Sequence, residues 1–269
     1  MINLKNITRK IGGFVLGLIP IFLFFVLWQI GATHIPKGVL PTPLKVFEQM
    51  YKEFTRTKPA MNMGSMTLLG HTAESLSRIT RGFLLAGSIG VVFGFLLGTY
   101  FRRLEKLFLP FFRVCEKLNP FAIIPIFMIL FGIGDTQKIA IVFWASFWPI
   151  LFNTQEGAKN IDPQLTRAAR SIGASKAQLF FKVILPATVP SLFTGLKLAI
   201  RVAFFMIIAS EVVGSTSGLG WYYGQAGNVY KLPLVYGSIL FITVMAIIIN
   251  AVFSRLEQHF MKWKEVVFR

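Results

Sequence analysis

Three ionisable side chains occur in one long apolar stretch of the sequence, Val189–Val213. Lys197 and Arg201 are four residues apart, so a helix would place them on one face. Glu211 follows near the end of the stretch. Ionisable groups inside an apolar segment are costly, and they usually belong to transport pathways or to buried pairs. We therefore predict that all three are candidates for a translocation pathway.

Each of these residues also has a plainer interpretation. Lys197 is near enough to one end of the stretch to extend its ammonium group to the membrane surface. Arg201 could instead form a salt bridge with another helix. Glu211 lies roughly 15 Å from Arg201 along a helix, so the two cannot pair within it. Glu211 also precedes a glycine-containing segment, Gly214–Gly227, which we predict to be an outer loop that forms a gate or a protein contact.

The other titratable residues do not form the patterns of enzymes or metal sites. His34, His71 and His259 are far apart and lack metal-ligand spacing, and the two aspartates fall in predicted loops. The sequence contains no phosphate-binding loop of the form Gly-x-x-x-x-Gly-Lys-Ser/Thr. We predict no catalytic residue, metal or cofactor in this chain, so any ATP and Mg²⁺ would bind a partner. A membrane enzyme is disfavoured.

The elements that must position these residues are membrane helices. The chain has 269 residues, of which 54% are hydrophobic and 14% charged, whereas soluble domains carry roughly 25% charged residues. About 20 apolar residues cross a hydrocarbon core of roughly 30 Å. We predict an all-α membrane protein with six spans: Gly12–Ile30, Gly82–Phe101, Leu118–Gly134, Ile139–Asn153, Val189–Val213 and Leu234–Phe253.

The distribution of basic residues predicts the orientation. More than half of the 28 Lys and Arg residues fall in segments that are cytoplasmic if the N-terminus is inside, and the short outer loops hold only Lys138 and Lys231. Both termini are therefore predicted to be cytoplasmic, in a multi-pass protein of the cell membrane. The net charge of +17 follows this pattern, and we predict lipid, not nucleic acid, as its counterpart.

The second predicted span carries small residues at every fourth position: Gly82, Ala86, Gly90, Gly94 and Gly98. This spacing makes one smooth ridge along which another helix can approach closely. We predict helix packing within the chain, with a dimer contact as the alternative.

A polar island, Asp162–Pro186, separates the fourth and fifth predicted spans. Asp162 and Pro163 are suited to begin a helix, and Gly173 is suited to end it. A second helix is predicted from Ser175 to Ile184, ended by Leu185-Pro186. The result is a helix–glycine–helix bracket on which a partner could dock, with an ordinary interfacial loop as the alternative.

The island has paired alanines, then Gly173 after three residues, then Val-x-Leu-Pro after nine more. This pattern resembles the EAA loop of ABC importer permeases. Other segments resemble the nitrate/sulfonate/taurine/bicarbonate class of these permeases: Leu40–Phe47, His71–Phe83, Ile124–Ile139, Phe147–Gly157, Pro186–Ala199 and Ala209–Gly220.

The resemblance implies one permease domain, 1–269, with a core at 70–260 and the EAA loop at 154–188. It implies a type I importer fold with a cytoplasmic coupling helix between spans 4 and 5. The ATPase-docking residues would be Arg167, Ala168, Ala169, Gly173, Ala174, Leu185 and Pro186. The family has Glu where this chain has Arg167.

The resemblance also implies partners: two copies of an ABC ATPase subunit, a solute-binding protein, and a second permease copy in a homodimer. The solute would be a small oxyanion such as nitrate, sulfonate, taurine or bicarbonate. A stand-alone secondary transporter or channel is the alternative; it would need intramembrane acids or inverted repeats, and only Glu211 is of that kind.

Overall fold

The structure is a computed structural model that describes residues 4–35, 39–59 and 64–261. Every regular element in those ranges is helical, in agreement with the all-α prediction. The helices are α1 (Leu4–His34), α2 (Pro43–Thr55), α3 (Leu68–Phe95), α4 (Arg102–Lys117), α5 (Pro120–Phe131), α6 (Asp135–Lys159), α7 (Pro163–Ser171), α8 (Lys176–Leu179), α9 (Leu185–Gly214), α10 (Leu219–Asn228) and α11 (Leu232–Phe260). Two π-helical turns, Leu96–Tyr100 and Phe180–Ile184, follow α3 and precede α9.

The chain divides into two compact units. The first comprises 1–67 and 223–241, and the second comprises 68–222 and 242–269. In the first unit, the indole Nε1 of Trp28 donates a hydrogen bond to the carbonyl of Pro41 at 3.0 Å. The buried side chain of Met50 packs on Gly237, where a Cβ atom would lie 2.5 Å from the Met50 sulfur.

The second unit is built on α3, α6 and α9, with α6 packed against both of the others. Its buried core includes Ile79 from α3, Val142 from α6, and Ala203 and Ile207 from α9. These helices supply the apolar interior because most of their inward positions are aliphatic, aromatic or small. The unit carries every residue of the sites described below.

The ridge of small residues on α3 faces α6 of the same chain. A Cβ atom added at Gly82 would lie 2.7 Å from Val142 Cβ, and one added at Gly94 would lie 2.6 Å from Thr154 Cβ. Gly90 and Gly98 also approach α6 closely, and Ala86 is fully buried. Only residues without a larger side chain allow this approach, so the ridge is used in packing within the chain.

Three helices among the described residues are long and apolar enough to cross a membrane: Leu68–Tyr100, Lys176–Gly214 and Leu232–Phe260. Arg103–Lys117 and Pro120–Phe131 make a fourth only if the pair, bent by 95°, counts as one broken span. The apolar segment Ile19–His34 of α1 is shorter. The fourth predicted span lies in α6, which has charged residues near both ends. The count of six spans stays a prediction.

One prediction about a helix boundary was wrong. We expected Leu185-Pro186 to end a helix, but the helix is continuous from Lys176 to Gly214. A proline leaves a backbone hydrogen bond of the preceding helical turn unmade. The π turn at Phe180–Ile184 lies in that preceding turn, just before Pro186, so the hydrogen bonding there is already different from that of an α-helix.

Candidate docking elbow and buried network

The polar island folds as the predicted bracket, which we call the elbow and define as Asp162–Ile184. The Asp162 carboxylate accepts a hydrogen bond from the backbone N–H of Gln164 at 2.8 Å, and Pro163 occupies the first helical turn. Gly173 follows α7 with φ +80°, a left-handed conformation that favours glycine. Local sequence signals therefore fix this part of the elbow.

A capping box begins the second half of the elbow. The hydroxyl of Ser175 accepts from the N–H of Gln178 at 3.2 Å, and the Gln178 side chain accepts from the N–H of Ser175 at 2.9 Å. These reciprocal bonds satisfy two backbone donors that a helix start leaves open. The turn between α7 and α8 is thus fixed on both sides.

The elbow is attached to the ends of two long helices through one apolar cluster. Leu179 and Ile184 are buried together with Phe95 of α3 and Ala158 of α6. The ring of Phe180 also meets that of Phe95 edge-on, with centroids 5.3 Å apart. A displacement of the elbow must therefore displace these helix ends or break the cluster, since close-packed side chains transmit strain.

Other residues of the elbow present apolar and basic groups to the surroundings. Ile172 is 86% exposed, and Leu165 and Phe181 are also exposed. The basic residues Arg167, Arg170, Lys176 and Lys182 are exposed as well. Large apolar side chains that stay exposed in a polar segment suggest a contact site for another protein.

The predicted contact residues of the elbow do not all point outward. Ala168 is exposed, whereas Ala169 is half-buried and packs against the Leu179 cluster. Ala174 is half-buried, and Leu185 and Pro186 are half-buried in the first turn of α9. Beside the elbow, between the end of α6 and the starts of α7 and α9, is a cavity of about 500 Å³. The acidic residues in its lining are Glu156 and Asp162.

At the other end of α9, Glu211 lies in a buried polar network. Its carboxylate is fully buried and accepts hydrogen bonds from the Ser75 hydroxyl at 2.8 and 2.9 Å. It also accepts from Nη1 of Arg78 at 2.8 Å and from the backbone N–H of Gly220 at 3.0 Å. The charge is thus paired and hydrogen-bonded, as burial demands.

Arg78 joins this carboxylate to two further segments. Its Nε and Nη2 donate to Asp135 at the start of α6, at 2.9 and 2.8 Å. Its Nη1 and Nη2 donate to the carbonyl and hydroxyl of Ser217, at 3.0 and 2.7 Å. The N–H of Gly218 donates to Nδ1 of His71 at 3.1 Å. The network therefore fastens the turn between α9 and α10 to α3 and α6.

The network corrects our interpretation of the segment after Glu211. We predicted an outer loop over Gly214–Gly227, but α10 begins at Leu219, and the intervening turn is held by Arg78 and Ser75. Sequence reasoning also missed Arg78. The available signal was that a buried Glu211 requires a cation, and Arg78 lies on the core-facing side of α3 together with Ser75 and Ile79.

The other two pathway candidates contact α11. Lys197 forms an ion pair with Glu257, and both side chains are mostly buried. Arg201 is exposed, and its Nε donates to the side-chain carbonyl of Asn250 at 3.1 Å. The salt bridge between helices that we considered for Arg201 thus occurs at Lys197. Arg201 keeps most of its guanidinium donors available, whereas Glu211 lies in a closed network.

Comparisons with known proteins agree with this architecture. Residues 90–265 match the family described as "Binding-protein-dependent transport system inner membrane component". The chain is similar to the bicarbonate transport system permease protein of Synechococcus elongatus, at 31% identity over 95% of this chain and 92% of the relative. It is also similar to the taurine transport system permease protein of Escherichia coli, at 30% identity over 90% and 86%.

A solved structure shares the fold. The MetNI methionine ABC transporter, in an inward-facing conformation, matches with a TM-score of 0.63 and 19% identity. The match covers 72% of this chain and 95% of that one.

Proposed function

Because the chain belongs to the family of binding-protein-dependent transport system inner membrane components, we propose that it passes a small oxyanion, delivered by a solute-binding protein, through the membrane. The chain is the membrane-spanning permease subunit of an ABC importer and is not itself the ATPase. Family membership decides against the stand-alone secondary transporter or channel. The remaining proposals concern the partners, the pathway and the solute.

We infer that the elbow is where an ABC ATPase subunit docks. The observation that carries this proposal is that Ile172 is 86% exposed on a bracket that is packed, through Leu179 and Ile184, into the ends of α3 and α6. A partner that binds the elbow and displaces it would therefore also displace the ends of these membrane helices. The exposed arginines and lysines of the elbow favour an acidic groove on the partner.

The solute proposal rests on the relatives and on Arg201. The two relatives described above are named for bicarbonate and for taurine. Each of these solutes carries an oxyanion group. An exposed guanidinium on a membrane helix is suited to attract such a group by charge-assisted hydrogen bonds.

The assembly we propose has two permease copies, two ATPase subunits and one solute-binding protein. In this assembly both termini and the elbow are cytoplasmic, and the turn between α9 and α10 is outside. The positive-inside pattern of the sequence supports this orientation. ATP and Mg²⁺ belong to the ATPase subunits.

The docking proposal is tested by Ile172→Asp. Because Ile172 is 86% exposed, the substitution should leave folding intact while placing a charge in an apolar contact. We expect the ATPase subunit that copurifies with the wild-type chain to be lost, as judged by band intensity and by ATP hydrolysis of the purified complex.

Tyr230→Asp is the matched control, since Tyr230 is 87% exposed and lies between α10 and α11, outside the predicted spans. This variant should retain the ATPase subunit. Full retention of the subunit by a folded Ile172→Asp variant would contradict docking at the elbow.

A further inference from the structure

Helix α4 presents three different faces. One face is packed on the protein: Leu109 and Phe112 contact the cluster that contains Trp148 and Phe152 of α6. At the start of the same helix, the buried Glu105 accepts from Nε2 of Gln155 at 2.8 Å and from Nζ of Lys159 at 2.5 Å. These contacts fix α4 to the end of α6 that leads into the elbow.

The second face is apolar and uncovered. Leu107 is 69% exposed, and its neighbours on the face are exposed too. Their positions follow the three- and four-residue spacing of one helix side. The members of this face are Leu104, Leu107, Phe108, Phe111 and Val114.

The third face is basic. Arg103, Lys106, Arg113 and Lys117 are exposed along an edge of the helix between the packed face and the apolar face. The guanidinium of Arg113 also lies 4.0 Å from the centroid of the Phe152 ring, which holds this side chain beside α6. The basic edge therefore accompanies the apolar face along most of the helix.

These faces determine how α4 can be oriented. The helix has 16 residues, a length of about 24 Å. If it crossed the hydrocarbon core, its basic edge would be carried into lipid at high cost. The bend of 95° between α4 and α5 removes this conflict, since it lets α4 lie flat while α5 enters the membrane.

We propose that α4 is an in-plane helix of the cytoplasmic membrane surface that binds anionic phospholipid headgroups through its basic edge, with its apolar face among the acyl chains. The cytoplasmic side of this placement rests on the proposed orientation of the chain. Apolar side chains of such helices reach about 5–10 Å below the headgroup boundary. Charge complementarity favours lipid over a second copy of this chain, because a second copy would bring an equally basic edge.

The depth of the apolar face is measured with single cysteines. The only cysteine in the sequence is Cys115, so a Cys115→Ser background allows one fluorophore to be placed at Phe111→Cys or, as the matched control, at Lys106→Cys. The purified complex is reconstituted in vesicles of phosphatidylcholine and phosphatidylglycerol. Each variant must first show wild-type elution and ATP hydrolysis.

We expect a lipid-attached quencher to act severalfold more strongly at position 111 than at 106, and an aqueous quencher to show the reverse. Free access of the aqueous quencher to position 111 would overturn the proposal. So would a disulfide between the Phe111→Cys positions of two copies, since the occupant would then be the second permease chain.

The requirement for anionic lipid has its own test. The variant Arg103→Gln/Lys106→Gln/Lys117→Gln should retain less phosphatidylglycerol through purification. We expect its affinity for this lipid to fall about fivefold for each charge removed. The control Lys45→Gln/Arg56→Gln/Lys58→Gln removes as many exposed charges from α2 and the residues after it, and should retain the wild-type amount. Equal retention by both variants would contradict the proposal.

The side of the membrane is checked independently of lipid contact. An impermeant thiol reagent should modify Lys106→Cys in inverted vesicles but not in intact cells. Modification in intact cells would refute the cytoplasmic placement of α4 and the proposed orientation. The copurification test at Ile172 would still decide separately whether an ATPase subunit docks on the elbow.

Discussion

Replacing Arg78 with Met should destabilise the chain strongly, because it leaves the carboxylate of Glu211 buried without a cation. Glu211 is 0% exposed, so water cannot take the place of the guanidinium. Ser75 and the N–H of Gly220 still donate to the carboxylate, but neither supplies a charge. Removing one partner of a buried ion pair lowers the free energy of unfolding by about 3–5 kcal/mol.

This loss converts into a measurable temperature shift. For a domain of this size, each kcal/mol corresponds to about 2–4 °C in melting temperature. We therefore expect the apparent melting temperature of the detergent-purified Arg78→Met variant to fall by about 6–20 °C. The measurement is the fraction of protein that stays folded after heating to each temperature. Size-exclusion chromatography of the heated samples gives that fraction.

Two further variants separate the ion pair from a general effect of losing an arginine. Arg81→Met is the matched control, because Arg81 lies one turn away, is half-exposed and approaches Asp135 only to 3.9 Å. It should shift the melting temperature little. The double variant Arg78→Met/Glu211→Gln should recover at least half of the loss, since residue 211 then carries no charge that needs the guanidinium. Equal shifts for Arg78→Met and Arg81→Met would refute the reasoning.

Two other substitutions test the ridge and the pathway. Gly94→Ala should lower the yield of folded protein, at a cost of about 1–3 kcal/mol in stability, because its Cβ would meet Thr154 Cβ at 2.6 Å and a backbone carbonyl at 2.9 Å. Gly87→Ala is the control, since a Cβ atom there would have nothing within 4 Å. Equal yields of the two variants would contradict the packing. Arg201→Gln should reduce uptake of the anionic solute about tenfold or more without changing stability. Asn250→Ala should reduce uptake less. If a folded Arg201→Gln variant takes up the solute at the wild-type rate, Arg201 is not part of the translocation pathway.

The features that could be predicted from sequence are those with local causes. The elbow is an example: Asp162, Pro163 and Gly173 each act on the backbone within a few residues, so their types and spacing predict where α7 begins and ends. The ridge on α3 is similar, because small residues at every fourth position define a face whatever helix covers it. The sequence of the ridge does not show whether α6 or a second copy of the chain packs against it.

The features that could not be predicted depend on contacts between distant residues. Arg78 and Glu211 are separated by 133 positions, and neither residue identifies the other by local pattern. The same is true of Lys197, whose partner Glu257 lies 60 positions away. In both cases sequence reasoning found one ionisable residue in an apolar setting and assigned it a transport role. The structure supplies the counterion, which is the simpler explanation of why a charge is tolerated there.

The junction at Pro186 shows how a local rule can be correct and its consequence still be missed. A proline cannot donate the backbone hydrogen bond of a helix interior, which favours a helix end at Leu185. The π turn before it changes the hydrogen-bonding register, and the helix continues from Lys176 through Gly214. The second half of the elbow is therefore the first part of the helix that carries Arg201. If a partner moves the elbow, as we propose, the displacement can reach Arg201 along one continuous helix that contains the π turn, a frequent feature of functional sites.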